Sequence, residues 1–218
     1  MALELDPERT LALAYVPAVR RPAIEALWRL DVTLASVLAT GTEPMISRIR
    51  LAWWRESLEK LDSAPPPAEP VLEAIARYVL PTGITGAELA PMEEGWASLV
   101  TSGPMTPDDL DAYARCRGGL LFACSARLLG HPHEPAGQAG ELWALVDFAR
   151  HSTSIEERAA ALAAARARSD TRRWPVPLRP IGMLAVLANR DVARGADLER
   201  LGSPARICRM LRHRFTGR

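Results

Sequence analysis

Apolar residues recur at intervals of three and four along most of the chain, and prolines and capping residues mark where each run begins. Asp6-Pro7-Glu8 supplies a cap, a first-turn proline and an acid facing the helix dipole, which predicts a helix to about residue 16. Pro22 opens a second helix with Ile24, Leu27, Leu30, Leu34 and Leu38 at helical spacing. Pro44 opens a third, with Ile46, Ile49, Trp53, Leu58 and Leu61 as its apolar side and Arg48, Arg55, Glu56, Glu59 and Lys60 as its polar side. The stretch DSAPPPAEP, residues 62–70, cannot continue a helix and predicts an exposed linker inside a single domain spanning 1–218. Further helices are predicted over 71–80, from 85 or 86 to 101, and from the strong start signal Thr106-Pro107-Asp108-Asp109 to about 129, the longest, with Gly130 as its stop. A helix over 135–151 follows, then an alanine-rich one to about 168 opened by a capping box of Ser154 and Glu157. After a proline-rich loop over 172–180, short helices over 181–189 and 204–213 close the chain. No segment reads as a strand, so the expectation is an all-α, single-domain helical bundle.

Composition narrows the functional classes. With 218 residues, 48% of them hydrophobic, the chain can bury one full core. Its 27 basic and 26 acidic residues produce no strong global field, which argues against a nucleic-acid partner. No uncharged apolar run approaches the roughly 20 residues of a membrane span, and the opening MALELDPERT lacks the layout of a secretory signal, so a cytoplasmic location is expected. Cys116, Cys124 and Cys208 are odd in number and form no CxxC, which suggests neither a disulfide framework nor a zinc site. His131 and His133 follow a helix end, where interaction with its C-terminal dipole is the plainer role, and Asp108, Asp109 and Asp111 sit where the first turn of a helix favours acids. The C-terminal segment 204–218 places Arg206, Arg209 and Arg212 in a stripe beside Ile207, Met210, Leu211 and Phe215. That pattern suits either a helix docked on the core with a solvated basic edge, or a peripheral contact with the inner membrane face or an acidic partner.

The stretch Arg48-Ile49-Arg50-Leu51-Ala52-Trp53-Trp54-Arg55-Glu56 is the most distinctive in the chain. Two adjacent tryptophans on a helix point about 100° apart, so one can enter the core while the other meets a second surface. Together with Ala14-Tyr15-Val16-Pro17 and Arg20, Ile24-Glu25-Ala26-Leu27-Trp28, Leu110-Asp111-Ala112-Tyr113 leading to Gly118-Gly119, Ala139-Gly140-Glu141-Leu142-Trp143, and Arg172-Arg173-Trp174-Pro175-Val176-Pro177, it resembles, in order, the squalene/phytoene synthase family, including its assembly-factor branch. The resemblance implies a shortened isoprenoid-synthase-like bundle with a central pocket, on which Tyr113 and Gly119 would lie.

That family's chemistry ionises prenyl diphosphates with magnesium held by two aspartate-rich motifs. In the first, this chain keeps Asp31 as the one carboxylate between Glu25 and Glu43. In the second, Asp147 stands for an asparagine, His151 for an aspartate and Ile155 for another, with Glu156 and Glu157 nearby. The expectation is a non-catalytic family member acting as a helical binding or assembly scaffold, with a relic isoprenoid pocket, no cofactor, and a protein partner or an isoprenoid or lipid ligand. The alternative is a prenyl-diphosphate transferase catalysing head-to-head condensation. It would use Asp31, Asp147, Glu156 and Glu157 as a reduced magnesium site, and Arg50, Arg55 and Arg150 to hold diphosphate.

Overall fold

The computed structural model describes residues 4–41, 43–101, 103–132, 135–169, 171–195 and 197–218, and every regular element among them is helical. The N-terminal helix α1, Pro7–Ala14, starts where Asp6 accepts the backbone N–H groups of Glu8 and Arg9 at 2.9 and 3.0 Å. Helix α2, Arg21–Ala39, buries Ile24, Leu27, Leu30 and Leu34. Helix α3, Pro44–Lys60, turns a different face inward from the one its apolar residues predict. Ser47, Leu51, Trp54, Ser57 and Leu58 are buried, whereas Ile46, Ile49 and Trp53 face outward. The predicted stripe drifts around the helix because its members are spaced by three, four and five, and a 3.6-residue turn lets one face alone meet the core.

Residues 62–69 are exposed or half-buried, and the Asp62 carboxylate reaches forward to cap the helix that begins at Gly86, accepting from Gly86 N and Ala87 N at 2.6 and 2.9 Å. Helix α4, Pro70–Ala74, runs directly into a π-helical turn, Ile75–Val79. The single helix expected from residue 85 or 86 to 101 is instead two, α5, Gly86–Leu89, and α6, Met92–Ala97. Pro91 stands between them and has no N–H to carry the ladder across. The predicted longest helix is present as α7, Pro107–Ala112, a π-helical segment, Tyr113–Gly119, and α8, Leu120–Leu128. Thr106 and Asp109 cap it reciprocally, and Gly130 follows it at φ 76°. Helices α9, Pro135–His151, and α10, Ile155–Ala167, match expectation, except that the capping box before α10 is half formed. Ser154 accepts from Glu157 N, but the Glu157 carboxylate turns to the Ser152 hydroxyl at 3.0 Å. Helix α11, Arg179–Arg194, is longer than predicted and buried on nearly every side, and α12, Pro204–Thr216, closes the bundle.

Helix α9 is the hub. It packs on the π-helical segment, α8, α10 and α11. Its crossing with the π-helical segment is a backbone contact: a Cβ on Gly118 would lie 2.1 Å from Gly140 O, and one on Gly140 would lie 2.0 Å from Gly118 O. Helix α12 docks through Arg206, Met210 and His213. Arg206, 2% exposed, pairs with both Glu8 oxygens at 2.6 and 2.9 Å and with Asp191 at 2.6 Å. The basic stripe predicted over Arg206, Arg209 and Arg212 therefore loses its first member to the interior. Glu8, expected to face the helix dipole, is buried as that arginine's partner.

Candidate functional site

A cavity of about 550 Å³ lies among α2, α6, the π-helical segment and α9. Val32, Ala35, Leu38 and Leu99 supply apolar wall, and Trp96, Tyr113 and Phe148 supply rings in edge-on contact, with centroids 5.5 Å (Trp96–Tyr113) and 5.8 Å (Tyr113–Phe148) apart. Asp31 lies beneath this wall, wholly buried on α2. Asp147, on α9, sits at the cavity edge.

A guanidinium joins the two acids. Arg117, 1% exposed, donates through Nε to Asp31 Oδ1 at 2.8 Å and through Nη2 to Asp31 Oδ2 at 3.0 Å, a bidentate pair. Its Nη1 reaches Asp147 Oδ2 at 2.7 Å and the Tyr113 hydroxyl. Arg9 of α1 adds a second cation, its Nη1 2.9 Å from Asp31 Oδ2, while the Trp96 indole donates to Asp31 Oδ1 at 3.1 Å. Both arginines lie against aromatic faces: Arg117 Cζ is 4.2 Å from the Trp96 ring centre and 4.7 Å from that of Trp143, and Arg9 Cζ is also 4.7 Å from Trp143. The π-helical segment brings Tyr113 and Arg117 to this one spot, and the Gly118–Gly140 crossing lets α9 approach closely enough for Asp147 to complete it.

The electrostatics follow from this geometry. Burial pushes the Asp31 carboxyl up, but Arg117 and Arg9 outweigh it and hold the group below the usual carboxylate range. Asp147 is likewise raised by burial and brought lower by Arg117, Arg9 and His151. Burial raises the Tyr113 hydroxyl well above its ordinary value, so it stays neutral. A magnesium ion needs free carboxylate oxygens, and both oxygens of Asp31 already accept from guanidinium or indole N–H groups. Among the described residues no three His, Cys, Asp or Glu side chains converge as a metal site. The residues present do not fit the family's magnesium ions.

The other candidate residues are dispersed. Glu157 borders the cavity, whereas Glu156 is exposed and accepts from the Ser154 hydroxyl at 3.0 Å. His151 is at the cavity edge with Nδ1 2.8 Å from Asp147 O. Arg50 is exposed, 3.2 Å from the Thr40 hydroxyl; Arg55 pairs with Glu59 on the surface and with the buried Glu93; and Arg150 serves Asp191 at 2.6 Å and Glu199 O at 2.7 Å, outside the cavity. Gly119 lies beside Glu141, and it is Gly118, its neighbour, that makes the backbone crossing. Asp111 pairs with Arg115 and Arg168, and Asp109 caps its own helix. Cys124 is buried, Cys116 half-buried and Cys208 exposed. The paired histidines fall partly outside the described residues, at His133.

Sequence reasoning did not find Arg9, Arg117 or Trp96. The signal for Arg117 was present: it shares a helical face with Leu110, Tyr113, Ala114, Leu121 and Cys124, and a charge on an apolar stripe needs a buried partner.

The all-helical bundle with an apolar cavity between its helices has the isoprenoid synthase fold. The chain belongs to the squalene/phytoene synthase family, whose model matches residues 4–170. No curated protein sequence matches it. Among solved structures, a dehydrosqualene synthase crystallised in complex with a ligand aligns with a TM-score of 0.69, over 94% of this chain and 89% of that one, at 12% identity. At that identity the likeness speaks for the fold.

Proposed function

We propose that this chain is a non-catalytic member of its family, a scaffold whose cavity holds a neutral apolar chain of isoprenoid type. The supporting observation is the Arg117 guanidinium between Asp31 and Asp147. It supplies positive charge at the base of the cavity and occupies both Asp31 oxygens and Oδ2 of Asp147, which a metal ion would need. Charges in and just beneath the cavity favour a neutral ligand: Glu4, Asp6, Asp31, Asp147 and Glu157 outnumber Arg9 and Arg117, whose guanidinium groups are already engaged by these acids. A diphosphate brought there would meet excess negative charge with no unpaired cation to receive it. The apolar walls and a volume in the range of small-molecule pockets suit a prenyl chain.

Thermal-shift titration tests this reading. Farnesol or geranylgeraniol is expected to raise the melting temperature, and Phe148→Asp to abolish the effect. A shift produced only by farnesyl diphosphate, and only with magnesium, would instead favour the transferase.

A further inference from the structure

We propose that the outward face of α3 docks on a lipid bilayer surface bearing anionic headgroups. Four large apolar side chains stand in water along this helix: Met45 at 68% exposure, Ile49 at 62%, Ile46 at 47% and Trp53 at 45%. At about 100° per residue they fall, with exposed Ala52, inside an arc of roughly 120°. The buried residues Leu51, Trp54 and Leu58 occupy the opposite side of the helix. Such a double-faced apolar helix is one a water-facing position does not explain, because apolar patches of this kind mark interaction surfaces.

Charge selects the occupant. Along α3, Arg48, Arg50, Arg55 and Lys60 stand against Glu56 and Glu59, with Arg55 paired to Glu59 and Lys60 to Glu56 in the last turns, so Arg48 and Arg50 leave the half that holds the apolar arc basic. Arg48 and Arg50 project on either side of the apolar arc, roughly 100° from its centre, the layout of a helix lying in the plane of an anionic interface. Trp53 sits at the edge of the arc, edge-on to Trp54 at 5.3 Å, an indole placement suited to the headgroup level. An acidic protein groove would suit the arginines, but it would not need an arc of exposed aliphatic residues between them.

The stripe also has a position. Arg48 donates to Val100 O and Arg50 to the Thr40 hydroxyl. Val100 and Thr40 are the chain neighbours of Leu99 and Ala39, which line the cavity. A membrane-seated α3 would thus lie beside one end of the cavity. The docking does not depend on the cavity holding a lipid, and its test leaves that question aside. Helix α12, the other amphipathic candidate, turns Arg206 inward and keeps Phe215 as its one large exposed apolar residue.

The full chain should co-sediment with vesicles of phosphatidylcholine mixed with phosphatidylglycerol, and far less with phosphatidylcholine alone. Ile49→Ser/Trp53→Ser, with melting temperature as a folding control, should weaken binding at least about tenfold by removing apolar anchor area. Arg48→Gln/Arg50→Gln should weaken it less and flatten its salt dependence. Phe215→Ser should bind as the parent does. Lipids brominated in the acyl chain should quench tryptophan fluorescence in the parent and lose that effect in Trp53→Phe. Three results would overturn the proposal: parent protein that stays in the supernatant with every vesicle, equal sedimentation of the Ile49→Ser/Trp53→Ser variant, or a stripe variant that turns a dimer into a monomer while vesicle binding persists.

Discussion

Truncating Arg117 to alanine strips Asp31 of its bidentate partner and Asp147 of its guanidinium, while the Asp31 carboxylate stays in a low-dielectric site. A cost of about 3–5 kcal/mol in urea unfolding is expected, the range for breaking a buried charge pair from one side. Arg117→Lys should recover only part of it, since one ammonium cannot fork to two acids. Acid should act on the same cluster. The Asp31 carboxyl has its folded pKa depressed below the unfolded value, near 4, so its contribution is fully present above about pH 4 and is lost as pH falls through the folded pKa. Asp31→Asn should therefore be less stable than the parent at neutral pH and lose less on going from pH 5 to pH 2, as followed by thermal melts. At this scale the sequence was half legible. Asp31 stood out as the one carboxylate of the first motif and Asp147 as an acid at an asparagine's place in the second, and Arg117 bridges them. Their cation is legible only through its spacing: Arg117 falls on the apolar face with Leu110, Tyr113, Ala114, Leu121 and Cys124, where a charge calls for a buried partner.

Between elements, the decisive contact is a pair of glycines. Gly118 and Gly140 let the backbones of the π-helical segment and α9 touch, and a methyl on Gly118 would come within 2.1 Å of a carbonyl oxygen that cannot rotate away. Gly118→Ala should destabilise by about 1–3 kcal/mol through overpacking and pull Asp147 away from Arg117. A lowered melting temperature together with a weakened response to farnesol would show both effects. Helix existence and most helix starts were readable from proline and capping signals, because those act within four or five residues. The inward face of α3 was not, since Ile46, Ile49 and Trp53 are as apolar as Leu51, Trp54 and Leu58, and which set meets the core depends on α2, α5 and α6. The π-helical segment also left no local mark. It carries Tyr113, Arg117 and Gly118, whose partners lie on the separate helices α2, α6 and α9.

Over the whole molecule, two buried arginines tie distant parts of the chain together: Arg117 joins α2 to α9, and Arg206 joins α12 to α1 and α11. Arg206→Ala should free the C-terminal helix, costing about 3–5 kcal/mol and raising amide exchange across 204–216 more than elsewhere. The overall bundle was legible because resemblance and helix punctuation agreed along most of the chain. The loss of acids from both motifs was legible too, whereas the partner of the carboxylates that remain emerges only in the fold: the Arg117 guanidinium pairs with Asp31 and Asp147. The most direct test is pyrophosphate release from farnesyl diphosphate with saturating magnesium. The account predicts a rate equal to that without protein. Release above that rate, abolished by Asp31→Asn, would contradict it.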